Sequence, residues 1–452
     1  MAGRLKCAAT RLPGRLSRYK EFRFDRIMKK SVFINPQRII AFLAVAVLSA
    51  TVLAQESTPQ TQAKAGQAAA GSNAFDWPNW RGPTHDGVSH ETKLNWKWPS
   101  EGPKKLWQTT VGKGMSSFAV AQPRAFTMGN REDVDTVYCF DTETGKEIWK
   151  HTYPCPLNPL AYEGGPSSTP AVEDGRVYTL SKAGYCFCLD AATGKVIWSK
   201  KFDAPPTTKE DYKVWWGFAG SPLIEGNKLI LSVGTAGVAL NKMTGEVLWD
   251  NGLGRAGYSS PVPFDFGAER LFAKLSGHEI VVARMSDGKV LSRTLWRTTW
   301  DQNAPDVLVS GGKMLVATGH GVGAALFNVT TNSLVPLWNV KSLRTELATP
   351  VLWKNHVYGF DKNQLVCLDW ETGAVKWAAE ETRQGSLIIA DQKLIVMQED
   401  GTLLIAEATP ESFKPVAKAQ VLDGRCWTVP VLSNGKLMLR NAVGTVVCLD
   451  AR

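Results

Sequence analysis

Seven short segments combine residue types that recognise polar ligands. They are Tyr162-Glu163, Trp215-Trp216, Arg255 with Tyr258, Asp301-Gln302-Asn303, Arg344 with Glu346, Arg383-Gln384, and Arg425 with Trp427. A guanidinium fork can hold a carboxylate or phosphate through two parallel hydrogen bonds, and indole and phenol rings stack on flat groups. Glu163, Asp301 and Glu346 could accept protons or hold cations. Gathered at one mouth, these groups would make a site for a polar small molecule or a peptide. A solvated rim has the same composition, so the fold must decide between the two.

Other chemistry finds little support. The sequence has no Gly-x-x-x-x-Gly-Lys-Ser/Thr, no His-Glu-x-x-His, no Cys-x-x-Cys and no Gly-x-Ser-x-Gly. The six histidines, at 85, 90, 151, 278, 320 and 356, lack metal-ligand spacing. Gly319-His-Gly-Val-Gly323 is glycine-rich but falls where a turn belongs. Of eight cysteines, Cys139, Cys188, Cys367 and Cys448 each stand two residues before an Asp. One structural slot in four different repeats keeps them apart, as small buried apolar residues. Cys186 and Cys188 share a strand face and are poorly placed to bond each other. Cys155 and Cys426 fall in connecting segments, where either could be a free thiol.

The elements that must position the seven segments are short strands. Residues 164–198 read as four: Ser168 to Val172, Arg176 to Leu180, Tyr185 to Asp190, and Lys195 to Trp198. Each is β-branched or aromatic and bounded by turn residues. The corner between the third and fourth recurs. Asp141, Asp190, Asn241 and Asp369 each lie eight residues before a Trp (Trp149, Trp198, Trp249, Trp377) and four before a Gly. An Asp or Asn side chain accepts backbone N–H groups inside a tight turn, and glycine supplies the left-handed residue that closes it. Weaker copies precede Trp296 and Trp338, a degraded copy spans Glu407 to Phe413, and a last one stops at Asp450. Tryptophans at 107, 149, 198, 249, 296, 338 and 377 recur every 39 to 51 residues. Four strands at this period are the pattern of a propeller blade, and the copies number eight. The last lacks its outer strand, whereas Pro103 to Trp107 supplies an outer strand without a blade. The expected fold is therefore all-β: an eight-bladed propeller of four-stranded antiparallel blades, closed by the N-terminal strand, over residues 103–452. In a propeller, segments ahead of each first strand return from rim to axis. The seven segments should therefore line one mouth of the channel.

The chain carries 52 Lys and Arg against 42 Asp and Glu, but residues 1–54 hold eleven of the former and two of the latter. The remainder is nearly neutral, which removes the main electrostatic support for nucleic-acid binding. Ile39 to Leu53 is an apolar run behind Lys29, Lys30 and Arg38, as in a secretory signal. Residues 1–54 are expected to be that signal, with Met28 an alternative start. Residues 55–74 read as a disordered linker, and residues 75–102 as an extended strap opening on Phe75-Asp-Trp-Pro-Asn-Trp-Arg-Gly-Pro83. The mature chain is expected to be an exported monomer, periplasmic or extracellular, without a transmembrane anchor.

The recurring Cys/Ala-Leu-Asp-x-x-Thr-Gly-x-x-x-Trp corner resembles that of the pyrroloquinoline-quinone (PQQ) repeat family of eight-bladed propellers. That family includes quinoprotein alcohol dehydrogenases and the cofactor-free propeller subunit of the outer-membrane β-barrel assembly machine. The resemblance implies two functions. The first is a non-enzymatic scaffold at the cell envelope that binds an envelope or secreted protein, or a polar small molecule, at the funnel. No lipid-attachment Cys follows the apolar run, unlike the assembly subunit. The second is a PQQ-dependent alcohol or sugar dehydrogenase, with calcium polarising the quinone. There, funnel position would give Asp301 as base and Glu163 and Asn303 beside the ion. The adjacent Cys-Cys pair, the Cys-x-x-Cys-His haem site and the long inter-blade insertions of those enzymes are missing.

Overall fold

A computed structural model describes residues 74–157, 159, 162–203 and 216–452. The expected signal, nearly all of the linker, and Trp215 lie outside the described residues. Everything described belongs to one compact unit, Lys64–Arg452.

Eight β-sheets make up the described residues of this unit. The second blade is representative: Ala171–Glu173, Arg176–Leu180, Tyr185–Asp190 and Val196–Lys201 pair in sequence order, all antiparallel. In the eighth blade, Val431–Ser433, Lys436–Arg440 and Thr445–Asp450 take their outer strand from the N-terminal side. Lys105–Thr110 pairs antiparallel with Thr445–Asp450, setting Trp107 opposite Cys448. The fold is thus the all-β eight-bladed propeller. Among the described residues no helix is long and apolar enough to cross a membrane.

The first strand of blade two begins at Ala171, three residues later than its sequence pattern suggests. Ser168 and Thr169 are buried, but the Thr169 N–H goes to Ser221 Oγ of the next blade rather than to a strand ladder. The fourth strand begins one residue later, at Val196, beside a register shift between Val196 and Trp198.

Each corner turn is built as its residues dictate. Asp190 Oδ1 accepts the N–H groups of Ala192 (3.1 Å) and Thr193 (2.8 Å) and the Thr193 hydroxyl (2.8 Å). Gly194 closes the turn at φ 72° and lies flat on the ring of Trp149 from the preceding blade, where a Cβ would come within 2.6 Å. The Trp149 indole N–H donates to Ala191 O at 3.0 Å. The same bond joins Trp107 to Thr142, Trp198 to Lys242, Trp338 to Trp370 and Trp377 to Thr409. The tryptophans are therefore a packing girdle. Trp296 differs: the next corner has no glycine, and its indole N–H bonds Thr318 Oγ1 instead.

The strap crosses one face of the ring. Trp77 exchanges backbone hydrogen bonds with Val120 of blade one, and Val172 N of blade two donates to Pro78 O. Val88–Ser89 adds a parallel strand to Gly385–Ala390 of blade seven. Glu91 accepts the N–H groups of Asn434 (2.9 Å) and Gly435 (2.6 Å) in blade eight. These partners sit at the ends of first strands or in the turns that follow, on the face opposite the seven segments.

Arg440, fully buried at the seam between blades eight and one, donates to the carbonyls of Ser116 (2.9 Å), Met128 (2.6 Å) and Gly112 (3.0 Å). All seven described cysteines are buried free thiols. Burial pushes Cys139, Cys155, Cys367, Cys426 and Cys448 up to about 12, so these thiols stay protonated and unreactive.

Candidate functional site

An axial cavity of about 240 Å³ remains inside the ring. Ser221, Ser260 and Asp306 of its lining share one slot, two residues before the first strand of a blade, and a chain of hydrogen bonds runs through that slot. The Ser117 N–H donates to Thr169 Oγ1 (3.0 Å), Thr169 N–H to Ser221 Oγ (2.9 Å), and Ser221 N–H to Ser260 Oγ (3.0 Å). The Ser260 N–H then donates to Asp306 Oδ1 (2.6 Å), and Asp306 N–H to Thr349 Oγ1 (2.9 Å). Blades one to six are thus linked in series through hydroxyls, except that blade five supplies a carboxylate.

Asp306 was not among the sequence candidates. A signal existed: Thr169-Pro170, Ser221-Pro222, Ser260-Pro261 and Thr349-Pro350 mark the slot, and alignment on the strands puts Asp306 in it. Its second oxygen, Oδ2, accepts the indole N–H of Trp80 at 2.7 Å. Trp80 belongs to the strap and forms the base of the cavity. The strap therefore turns a through-channel into a pocket open at one face. Burial pushes the Asp306 carboxyl above the ordinary range, against the charge of Arg81 and the bonds from Ser260 and Trp80.

At the open end stand Tyr162, Trp216, Tyr258, Gln302 and Trp427. Trp216 and Tyr258 meet edge to face with ring centroids 5.5 Å apart. The Tyr162 phenol is raised by burial. These five are sequence candidates that the fold does bring together.

The charged candidates, apart from Glu346, are held in ion pairs. Arg425 binds Glu163 (2.9 Å) and lies 4.5 Å from the centroid of the Trp427 ring, whose N–H donates to Glu399 (3.3 Å). Asp301 pairs with Arg255 and lies 2.8 Å from His278 Nε2. Arg344 grips Asp361 through two bonds, 2.7 and 2.6 Å, and Arg383 meets Asp400 at 3.2 Å. Each of the four candidate arginines thus faces a carboxylate rather than standing ready for an anion. Gln302 contacts His320 (2.8 Å), the Gln384 carbonyl accepts Glu399 N–H (2.7 Å), and the Glu346 side chain packs over Gly319. Asn303 is buried. Its amide N donates to the carbonyls of Ser276, Gly277 and Trp296, and its oxygen accepts the Thr298 hydroxyl.

Comparison with known proteins sets this arrangement in a family. The family described as outer membrane protein assembly factor BamB matches residues 100–165 and 135–379. The chain belongs to the BamB family. Among solved structures, BamB from Moraxella catarrhalis is 16% identical with a TM-score of 0.55, covering 77% of this chain and 97% of that one. Quinohemoprotein alcohol dehydrogenase from Comamonas testosteroni is 14% identical with a TM-score of 0.60, covering 85% and 81%. A europium-containing methanol dehydrogenase is 12% identical with a TM-score of 0.62, covering 82% and 91%. At these identities the likeness is one of fold. No curated protein sequence matches the chain.

The BamB-type ring and the quinoprotein ring share this architecture, so the residues must say whether a quinone and its ion fit. Glu163 and Asn303 do not stand as a ligand pair: one is bound to Arg425, and the other is spent on backbone carbonyls. Asp301 is held by Arg255 and His278. Among the described residues, no three His, Cys, Asp or Glu side chains converge as a metal cage would require. The donor set does not fit a calcium-bound quinone.

Proposed function

We propose that this chain is an exported PQQ-like repeat propeller of the cell envelope. It serves as a binding scaffold whose ligand or partner enters the axial pocket from the face away from the strap. The observation that carries this reading is the pocket itself: five aromatic side chains and the hydroxyls of Ser167, Ser221, Ser260 and Thr428, closed at its base by Trp80. Concave, mostly apolar sites with a few placed polar groups are where proteins take up ligands. Export is supported by the apolar run Ile39 to Leu53 behind a basic segment. An envelope setting agrees with the name of the family.

The test is binding of the neutral fluorophore Prodan to the full chain. One site per molecule is expected, and Ala219→Trp, which fills the pocket from its wall, should abolish it. Prodan that fails to bind, or binds Ala219→Trp equally well, would refute the pocket as a binding site.

A further inference from the structure

Within that binding reading, on which the following rests, the pocket selects by charge. Its described lining contains one acidic side chain, Asp306, and no Lys, Arg or His. That carboxylate is nearly inaccessible, at 3% exposure. It has hydrogen-bond donors in Ser260 and Trp80 but no ion-pair partner among the described residues. The nearby cation, Arg81, is itself buried and spends its Nη2 on the carbonyls of Asp86 and Pro350, both at 2.8 Å. A buried carboxylate without a paired cation is costly. Trp80 lies beneath it, and the rings of Tyr162, Trp216, Tyr258 and Trp427 also line the pocket. Aromatic faces carry negative potential and attract cations, most strongly where water is excluded. The rim arginines, which could have drawn an anion, are already engaged by Glu163, Asp301, Asp361 and Asp400.

We infer that the axial pocket takes a small organic ammonium ion, its charge balanced by Asp306 and its alkyl surface held by the aromatic walls. A compact alkylammonium suits such a site better than a metal ion, because rings and hydroxyls solvate it without a cage of carboxylates.

Calorimetric titration of the full chain with choline and with 3,3-dimethylbutan-1-ol, its uncharged carbon isostere, tests this. Choline should bind roughly tenfold more tightly or better. Asp306→Asn should bring the two within about twofold. Equal affinities in the wild type, or an unchanged preference in Asp306→Asn, would overturn the inference. Should Asp306→Asn fail to fold, the wild-type comparison decides alone. If Prodan is excluded by Ala219→Trp while the two isosteres bind alike, the pocket still binds ligands and the ammonium assignment alone falls. If Prodan does not bind and neither isostere does, the binding reading falls with it. Co-sedimentation with phosphatidylcholine vesicles, released by free choline, would assign the ammonium to a lipid headgroup. Protein left in the supernatant would assign it to a soluble ion.

Discussion

The indole N–H of Trp80 donates to Asp306 Oδ2 at 2.7 Å across 226 residues of sequence. The bond joins the strap to the blade ring and fixes the base of the pocket. Trp80→Phe keeps most of the ring but removes the donor. It should destabilise the fold by about 1–3 kcal/mol, since a buried acceptor loses its partner. Denaturant unfolding monitored by circular dichroism measures this, and an unchanged midpoint would mean that the bond contributes nothing.

The girdle can be separated from backbone strain by two glycines of like conformation. Gly175 (φ 71°) has nothing within 4 Å of a built Cβ, whereas Gly194 (φ 72°) would place one 2.6 Å from the Trp149 ring. Gly175→Ala should cost roughly 1–2 kcal/mol from the left-handed conformation alone. Gly194→Ala should cost roughly 1–3 kcal/mol more from overpacking. Equal losses in thermal unfolding would show that the tryptophan contact is not tight.

At the seam, Arg440→Met leaves the carbonyls of Gly112 and Met128 without their guanidinium donors. A loss of roughly 2–4 kcal/mol is expected, with hydrogen exchange accelerating first in Lys105–Thr110 and Thr445–Asp450. Uniform exchange across all eight blades would argue against a seam-specific role.

The strap also gives stability a pH dependence. Burial pushes His85 down to about 4 from 6.5, with Arg81 and Arg270 acting in the same direction and the Trp80 backbone and Asp86 opposing. Its folded pKa lies below the unfolded one, so as pH falls through 6.5 the unfolded chain takes a proton that the folded chain refuses. The stability contribution is complete above about 6.5, declines toward pH 4, and changes no further below. His85→Gln should flatten the melting temperature across that window. An unaltered slope would show that other groups set it.

Rim arginines should matter less than the sequence suggests. Arg344 and Asp361 are hydrogen-bonded but partly exposed, and such pairs contribute up to about 1 kcal/mol. Arg344→Ala should leave Prodan affinity within about twofold in a fluorescence titration. A larger loss would return the binding role to the rim.

The corner chemistry was legible in the sequence because it is local and repeated. Asp190, Gly194 and Trp198 sit within nine residues, and the same hydrogen bonds recur at Asp141 and Asp369. Such a period determines the blade, the count of eight, and the completion of the last blade by Lys105–Thr110. The candidate site was half legible. Position ahead of each first strand was enough to place Tyr162, Trp216, Tyr258, Gln302 and Trp427 at one opening. Tertiary structure alone decided the rest. Whether Arg425 is free or bound to Glu163, 262 residues away, depends on which blades face one another around the ring, and no periodic signal encodes that angle. Asp306 became visible only when ring closure set it beside Ser260 and the strap brought Trp80 beneath it. A repeat specifies what each blade shares, whereas the pocket is built from the places where one blade and one strap depart from it.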